Sequence, residues 1–429
     1  MPEKLFIEGG SSLSGEINVR GSKNAATPLI AATLLTSKPC VLSNLPRIAD
    51  VFKMLEILQS LGADVQFIEE RKVRVEAKNI DPQKLDFDLV SKMRSSVLIL
   101  GPLVARFGYL RIPHPGGCVI GSRGLETHLL GLQKMGVSVK EIGQLENGIK
   151  HSHEYEFKSD GLKGKEVILD EFSVTATENI LMAAVLAKGK TVIKTAAAEP
   201  HVEELAIFLR KMGAKIKGEG THRIEVRGVE KLDGSDHFIP YDYLEAGTFI
   251  ILAVAAKGKV QINNVPVGHL DLLLSKMKRF GARMKVGKDS VAVSPGKVLQ
   301  IDRITTMIHP GIPTDLQCPL GVLSTQAKGL TLIHDWLYEG RLRYLQELNK
   351  MGAEIVMCDP HRAIINGPTK LYGATLDPLD LRSGVALIIA GIIAEGTTTI
   401  KDVSHVDRGY EEIEKRLQGI GVNIMRKNV

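Results

Sequence analysis

The stretch HPGGCVIGSRG, His114 to Gly124, sets a thiol, Cys118, among glycines and five residues before an arginine, Arg123. Glycine lets the backbone approach a ligand closely, whereas a cysteine meant for packing sits among apolar neighbours. A thiol presented in this way suits proton donation or nucleophilic attack, because nearby cations lower its pKa from about 8.5. Other charged residues collect at predicted helix starts: Lys23-Asn24 in RGSKNAA, Arg94 in KMRSS, Asp315 in GIPTDLQ, Asp380 and Arg382 in DLRSG, and Asp407-Arg408 in HVDRGYEE. Free N–H groups and the helix dipole favour anions there, and arginine forks match phosphate oxygens. Taken singly, each residue has an ordinary explanation. Asp315 and Asp407 would serve as N-caps worth about 0.5–2 kcal/mol, a lone cation as a solvated group, and Cys118 as an incidental thiol. Taken together, cations at helix starts oppose the dipole and demand something anionic to compensate them. The pattern predicts a site for one or two phosphate groups beside a thiol and a carboxylate.

These residues are positioned by a repeated unit. An amphipathic helix ending in Gly-Ala or Gly-Val and followed by a strand occurs six times, with its glycine at 62, 136, 213, 281, 352 and 421. Glycine just after a periodic helix marks the left-handed C′ position. Interleaved with these are helices apolar nearly all round, such as ATENILMAAVLAKG, EAGTFIILAVAAKG and SGVALIIAGIIAEG. That pattern predicts buried, closely packed helices. Each unit reads helix, strand, helix, strand, strand, the last two often forming a hairpin. The sixth ends at GVNIMRKNV without its hairpin partner, which the N-terminal EKLFIEGG is placed to supply. We expect an α/β fold of two domains with three such units each around buried helices. Domain I spans 23–240 and carries the Cys118 loop; domain II joins 1–22 to 241–429.

Composition narrows the class. A chain of 429 residues exceeds what one core usually serves, and its 44% hydrophobic and 24% charged residues are ordinary for a globular protein. The net charge of +6 is spread without a long basic run, and aromatics make up 5%. This argues against nucleic acid as a partner and fits a small anionic substrate. Four scattered cysteines form no metal-binding pair. The N-terminus carries no apolar signal region, and the longest apolar run, Val385 to Ala394, is too short for a membrane helix. A cytoplasmic protein without membrane insertion is expected. No phosphate-loop, zinc-protease or serine-hydrolase motif is present, and HSHEYE, His151 to Glu156, reads as a solvated turn.

GSKNAA, PGGCVIGSR, GIPTDLQ, DLRSG and HVDRGYE, in this order, resemble the motifs of the UDP-N-acetylglucosamine enolpyruvyl transferase family over essentially the whole chain. The sister family, 3-phosphoshikimate 1-carboxyvinyltransferase, shares the fold and the donor but lacks the cysteine loop. The resemblance implies transfer of an enolpyruvyl group from phosphoenolpyruvate to the 3′-hydroxyl of UDP-N-acetylglucosamine, with release of phosphate, in peptidoglycan synthesis. It implies a two-domain inside-out α/β barrel fold, each domain three βαβαββ units around buried helices, and it implies no cofactor and no metal. It makes Asp315 the base for the sugar hydroxyl and Cys118 the acid, the thiol that also adds to phosphoenolpyruvate and to fosfomycin. Lys23, Arg123 and Arg408 would hold the donor's phosphate, Arg382 its carboxylate, and Asn24 would also lie against the donor. Asn24, Arg94, Arg123, Gly124, Leu125, Glu126, Thr127, Ser173, Val174, Asp315 and Leu337 would contact the UDP-sugar. This sequence departs from the family at Gly124, where proline is usual, at the flanks of Ser173-Val174, and mildly in IPYDYLEAGTF and WLYEGR.

Overall fold

The computed structural model describes residues 3–116, 120–121, 124–146 and 149–428. Its buried apolar side chains form two separate clusters, one in each of two compact units. Of the described residues, the first unit holds 21–116 and 124–240, and the second holds 3–20, 120–121 and 241–428.

Among the described residues, each unit has three sheets and three buried helices. In the first unit the helices are Lys23–Ala32, Leu100–Phe107 and Val174–Ala184; in the second they are Tyr243–Ala255, Gln317–Ser324 and Leu381–Ile393. Every residue of Tyr243–Ala255 is buried, which explains its lack of a polar face. Glycines set how closely these helices pack. A Cβ on Gly101 would lie 2.3 Å from the carbonyl oxygen of Asn179, and the Gly101 N–H donates to Asn179 Oδ1 at 2.7 Å.

The sheets follow one plan. In the second unit, Ser14–Asn18 runs parallel to Lys259–Asn263, which pairs antiparallel with Ser290–Ser294, itself paired with Arg283–Val286. The last sheet follows the same order with a substitution, since Glu3–Glu8 lies between Thr397–Ile400 and Asn423–Asn428. In the first unit, Asp236–Phe238 runs parallel to Cys40–Ser43. The helices lie within each unit and the sheets cover them. The sheets stay separate, and no closed barrel forms among the described residues. His151–Glu156 falls inside the strand Ile149–Lys158, so the turn expected there is corrected to strand. No helix is long and apolar enough to cross a membrane among the described residues.

The six repeat glycines all have positive φ, between 93° and 106°, as the helix-stop pattern predicts. Four of the buried helices begin at a side-chain cap. Ser22 accepts from Ala25 N–H, Ser173 from Ala176 N–H, Asp242 from Leu244 and Glu245 N–H, and Asp380 forms a capping box with Ser383. The other two are preceded by 3₁₀ turns that lack a side-chain cap, Arg94–Ile99 and Thr314–Leu316. Those turns carry Arg94 and Asp315, whose side chains are therefore spent on other partners.

Candidate active site

In the second unit the site is built around Asp315. Its two carboxylate oxygens are gripped by different guanidiniums. Arg341 Nη2 donates to Oδ1 at 3.1 Å, and Arg382 Nε donates to Oδ2 at 3.0 Å. Arg341 also reaches Asp380 Oδ1 at 3.6 Å and donates from Nε to Thr314 Oγ1 at 3.2 Å. Arg382 Nη1 donates to the Tyr410 hydroxyl at 3.2 Å, which in turn bonds Thr248 Oγ1 at 3.0 Å.

Both arginines are almost wholly buried, with side chains 4% and 5% exposed. Burial opposes their charge, but Asp380 and Asp315 at Arg341, and Asp315 and Tyr410 at Arg382, outweigh it and hold both above the ordinary arginine value. Burial pushes the Cys318 thiol, next to Gln317 behind this cluster, well above its usual range. It therefore stays a protonated packing residue.

Exposure separates the acids. The Asp315 side chain is 23% exposed and that of Asp380 is 6% exposed, while Asp335 is fully buried. Asp315 is thus the most exposed carboxylate of this cluster. Arg382 Nη2 also lies 3.0 Å from Asp315 Oδ2, so this guanidinium meets the carboxylate through two nitrogens.

In the first unit, Lys23 and Asn24 are the first two residues of their helix, and Lys23 Nζ lies 2.8 Å from Asp50, a carboxylate 1% exposed. Arg94 Nη2 donates to the Gly124 carbonyl at 2.7 Å. Beyond Gly124, Leu125 is buried and Glu126 opens the helix Glu126–Lys134. Thr127 donates to Glu171 at 3.3 Å, and His128 Nε2 bonds Thr175 Oγ1 at 3.0 Å. Burial, with Arg94 adding to it, lowers the His128 pKa to about 3. His128 is neutral at physiological pH and contributes no charge for anion binding. Ser173 caps the helix that begins at Val174.

Several sequence expectations need correction. Asp315 caps nothing, because it lies within a 3₁₀ turn and its oxygens serve the arginines. Asp407 and Arg408 stand at the end of the short helix Ser404–Asp407, with Arg408 as its C-cap, so Arg408 does not oppose a dipole. Asp407 pairs with Arg426. The compensating charge inferred for the cations is partly the protein's own, from Asp50 at Lys23 and Asp315 at Arg382. Cys118 and Arg123 lie outside the described residues.

The structure brings Asp315 and Arg382 together, with Tyr410, two residues after Arg408, behind them. Leu337 joins the same region through its N–H, which donates to Asp335 at 3.1 Å. Arg341 and Asp50 escaped the sequence reading. Their signal was a charge on an apolar stripe: Asp50 precedes Met54, Ile57 and Leu58, and Arg341 precedes Tyr344, Leu345 and Leu348, all buried.

The chain matches the family model described as EPSP synthase (3-phosphoshikimate 1-carboxyvinyltransferase) over residues 7–417. It is 43% identical over 423 residues to the UDP-N-acetylglucosamine 1-carboxyvinyltransferase of Halothermothrix orenii, covering 99% of both chains. It is also 43% identical over 428 residues to UDP-N-acetylglucosamine 1-carboxyvinyltransferase 2 of Carboxydothermus hydrogenoformans, again covering 99% of each. Among solved structures it resembles the enolpyruvyl transferase NikO from Streptomyces tendae, with a TM-score of 0.89 at 25% identity over 100% of this chain and 99% of that one. EPSP synthase from Acinetobacter baumannii shares the fold, with a TM-score of 0.74 at 18% identity and full coverage of both.

Proposed function

The chain belongs to the EPSP synthase (3-phosphoshikimate 1-carboxyvinyltransferase) family, and from that premise we propose that it transfers the enolpyruvyl group of phosphoenolpyruvate to UDP-N-acetylglucosamine. The observation that carries the choice of acceptor is the 43% identity, end to end, with relatives named for that reaction. The Asp315 cluster supports the chemistry.

The reaction is an addition followed by an elimination. The sugar 3′-hydroxyl adds to C2 of the enol while a proton is delivered to C3; phosphate then leaves C2 and a proton leaves C3. Asp315 takes the hydroxyl proton, a role its partial exposure supports. Arg341 and Arg382 fix the carboxylate plane from opposite oxygens. Cys118 delivers the proton to carbon, a role that rests on its sequence motif. Lys23, Arg123 and Arg408 receive the phosphate, Arg382 faces the donor carboxylate, and Asn24 lies beside the donor. Arg94, Gly124 to Thr127, Ser173, Val174 and Leu337 receive the nucleotide sugar. The protein then belongs among the enzymes of peptidoglycan precursor synthesis, in the cytoplasm where phosphoenolpyruvate is found.

The test is phosphate release from phosphoenolpyruvate with each acceptor in turn. Release with UDP-N-acetylglucosamine and none with shikimate 3-phosphate is the expected result. Release with shikimate 3-phosphate alone moves the protein to the sister activity.

A further inference from the structure

Asp335 is a carboxylate with no exposed surface, placed just after the strand Gly329–His334. An ionised group taken out of water needs close partners, and those of Asp335 lie on two sides. Its Oδ2 accepts the hydroxyl of Thr314, the residue before the base. Its Oδ1 accepts the N–H groups of Leu337 at 3.1 Å and Tyr338 at 3.4 Å. The backbone is pinned as well, since Asp335 N–H donates to the His361 carbonyl at 2.9 Å and His361 Nδ1 lies 2.7 Å from the Asp335 carbonyl.

Hydrogen-bond direction makes this a chain. Arg341 Nε–H is only a donor and gives its proton to Thr314 Oγ1. The Thr314 hydroxyl must then turn its own proton to Asp335, whose two oxygens both accept; a neutral amide at the same position has one acceptor oxygen and would leave one of the two sides facing a donor. With Nε held by Thr314 and Nη1 facing Asp380, the Arg341 fork has one orientation left. In it Nη2 meets Asp315 Oδ1. The turn capped by Asp335 continues to Gly340, whose N–H donates at 2.9 Å to the carbonyl of Ile120, two residues beyond Cys118 in the sequence.

We infer that Asp335 is a positioning residue for the transfer: through Thr314 and Arg341 it aims the Asp315 carboxylate, and through the Leu337–Gly340 turn it sets the place of Ile120. This rests on the function proposed above, because aiming matters only if Asp315 is the base. Misplacing a reacting group by about 1 Å costs on the order of 10²-fold in rate, without weakening contacts made equally in the ground state.

The experiment measures kcat and the KM for UDP-N-acetylglucosamine, by phosphate release, in wild type, Asp335→Asn, Thr314→Val and Thr314→Ser, with a thermal melt of each. Asp335→Asn and Thr314→Val are expected to lower kcat by roughly 30- to 100-fold with the sugar KM within about threefold. Thr314→Ser, which keeps the hydroxyl, is expected to recover most of that loss. The valine and serine pair decides the matter if Asp335→Asn does not fold. A folded Thr314→Val as active as Thr314→Ser, or losses that fall on KM alone, overturn the inference. Wild-type protein inert towards UDP-N-acetylglucosamine would instead refute the function on which it rests.

Discussion

Asp315 is held between two buried arginines yet keeps a fifth of its side chain open, and this combination defines what its removal does. Asp315→Ala deletes the proposed base but leaves Asp380 to partner Arg341 and Tyr410 to partner Arg382. Turnover is expected to fall by about 10²–10⁴-fold, the range for a general base, while titration calorimetry finds UDP-N-acetylglucosamine bound within a few-fold of wild type. Loss of sugar binding in parallel with turnover would make Asp315 a ligand rather than a base. At this scale the sequence was legible where a motif carried the residue. Lys23, Arg94, Asp315 and Arg382 announced themselves by type and position. Arg341 and Asp50 did not, because a charge on an apolar stripe reads as an interruption of the pattern until its partner is seen.

The elements that hold these residues follow from periodicity, and here the sequence was most informative. Six glycines at similar intervals marked six helix stops, and the nearly all-apolar helices are the buried ones. Local starts were less legible. Nothing in KMRSS or GIPTDLQ distinguishes a 3₁₀ turn from a capped helix, because the difference lies in where the side-chain oxygen finds its partner. Helix packing yields a prediction at this scale. Gly101→Ala sets a methyl 2.3 Å from the Asn179 carbonyl oxygen, and backbone on both sides leaves little room to yield. A cost of about 1–3 kcal/mol is expected, seen as a drop of several degrees in Tm. An unchanged Tm would mean that the two helices slide apart freely.

For the molecule as a whole, stability carries a pH signature. Glu178 is fully enclosed in a buried helix, and burial, with Glu199 adding to it, pushes its carboxyl well above the ordinary range. The folded protein therefore keeps a proton that the unfolded chain releases near pH 4.3. As pH rises from there towards the folded value, the group costs up to about 1.4 kcal/mol of stability per pH unit. Glu178→Gln cannot ionise, so its Tm relative to wild type is expected to rise between pH 5 and pH 8. A constant difference across that range would show that the folded Glu178 carboxyl is already ionised by pH 5. The identity of the three units per half was legible in the sequence, but strand exchange along the chain was only partly so. The fit of EKLFIEGG to the incomplete sixth unit was visible, whereas Ser14–Asn18 and Asp236–Phe238 are too short and polar to reveal their partners.

The first unit is nested in chain order inside the second, and this governs how the protein is born. Glu3–Glu8 and Ser14–Asn18 leave the ribosome ahead of the first unit, yet Ile17 pairs with Ile262 and Leu5 with Ile400. Residues 21–240 have all their sheet partners as soon as Phe238 emerges beside Ser43. Since domains fold as units during synthesis, Ser14–Asn18 stays unpaired until Lys259–Asn263 emerges and Glu3–Glu8 until Thr397–Ile400 does, and a message cut just after Phe238 yields one half with its sheets complete, preceded by two orphan strands.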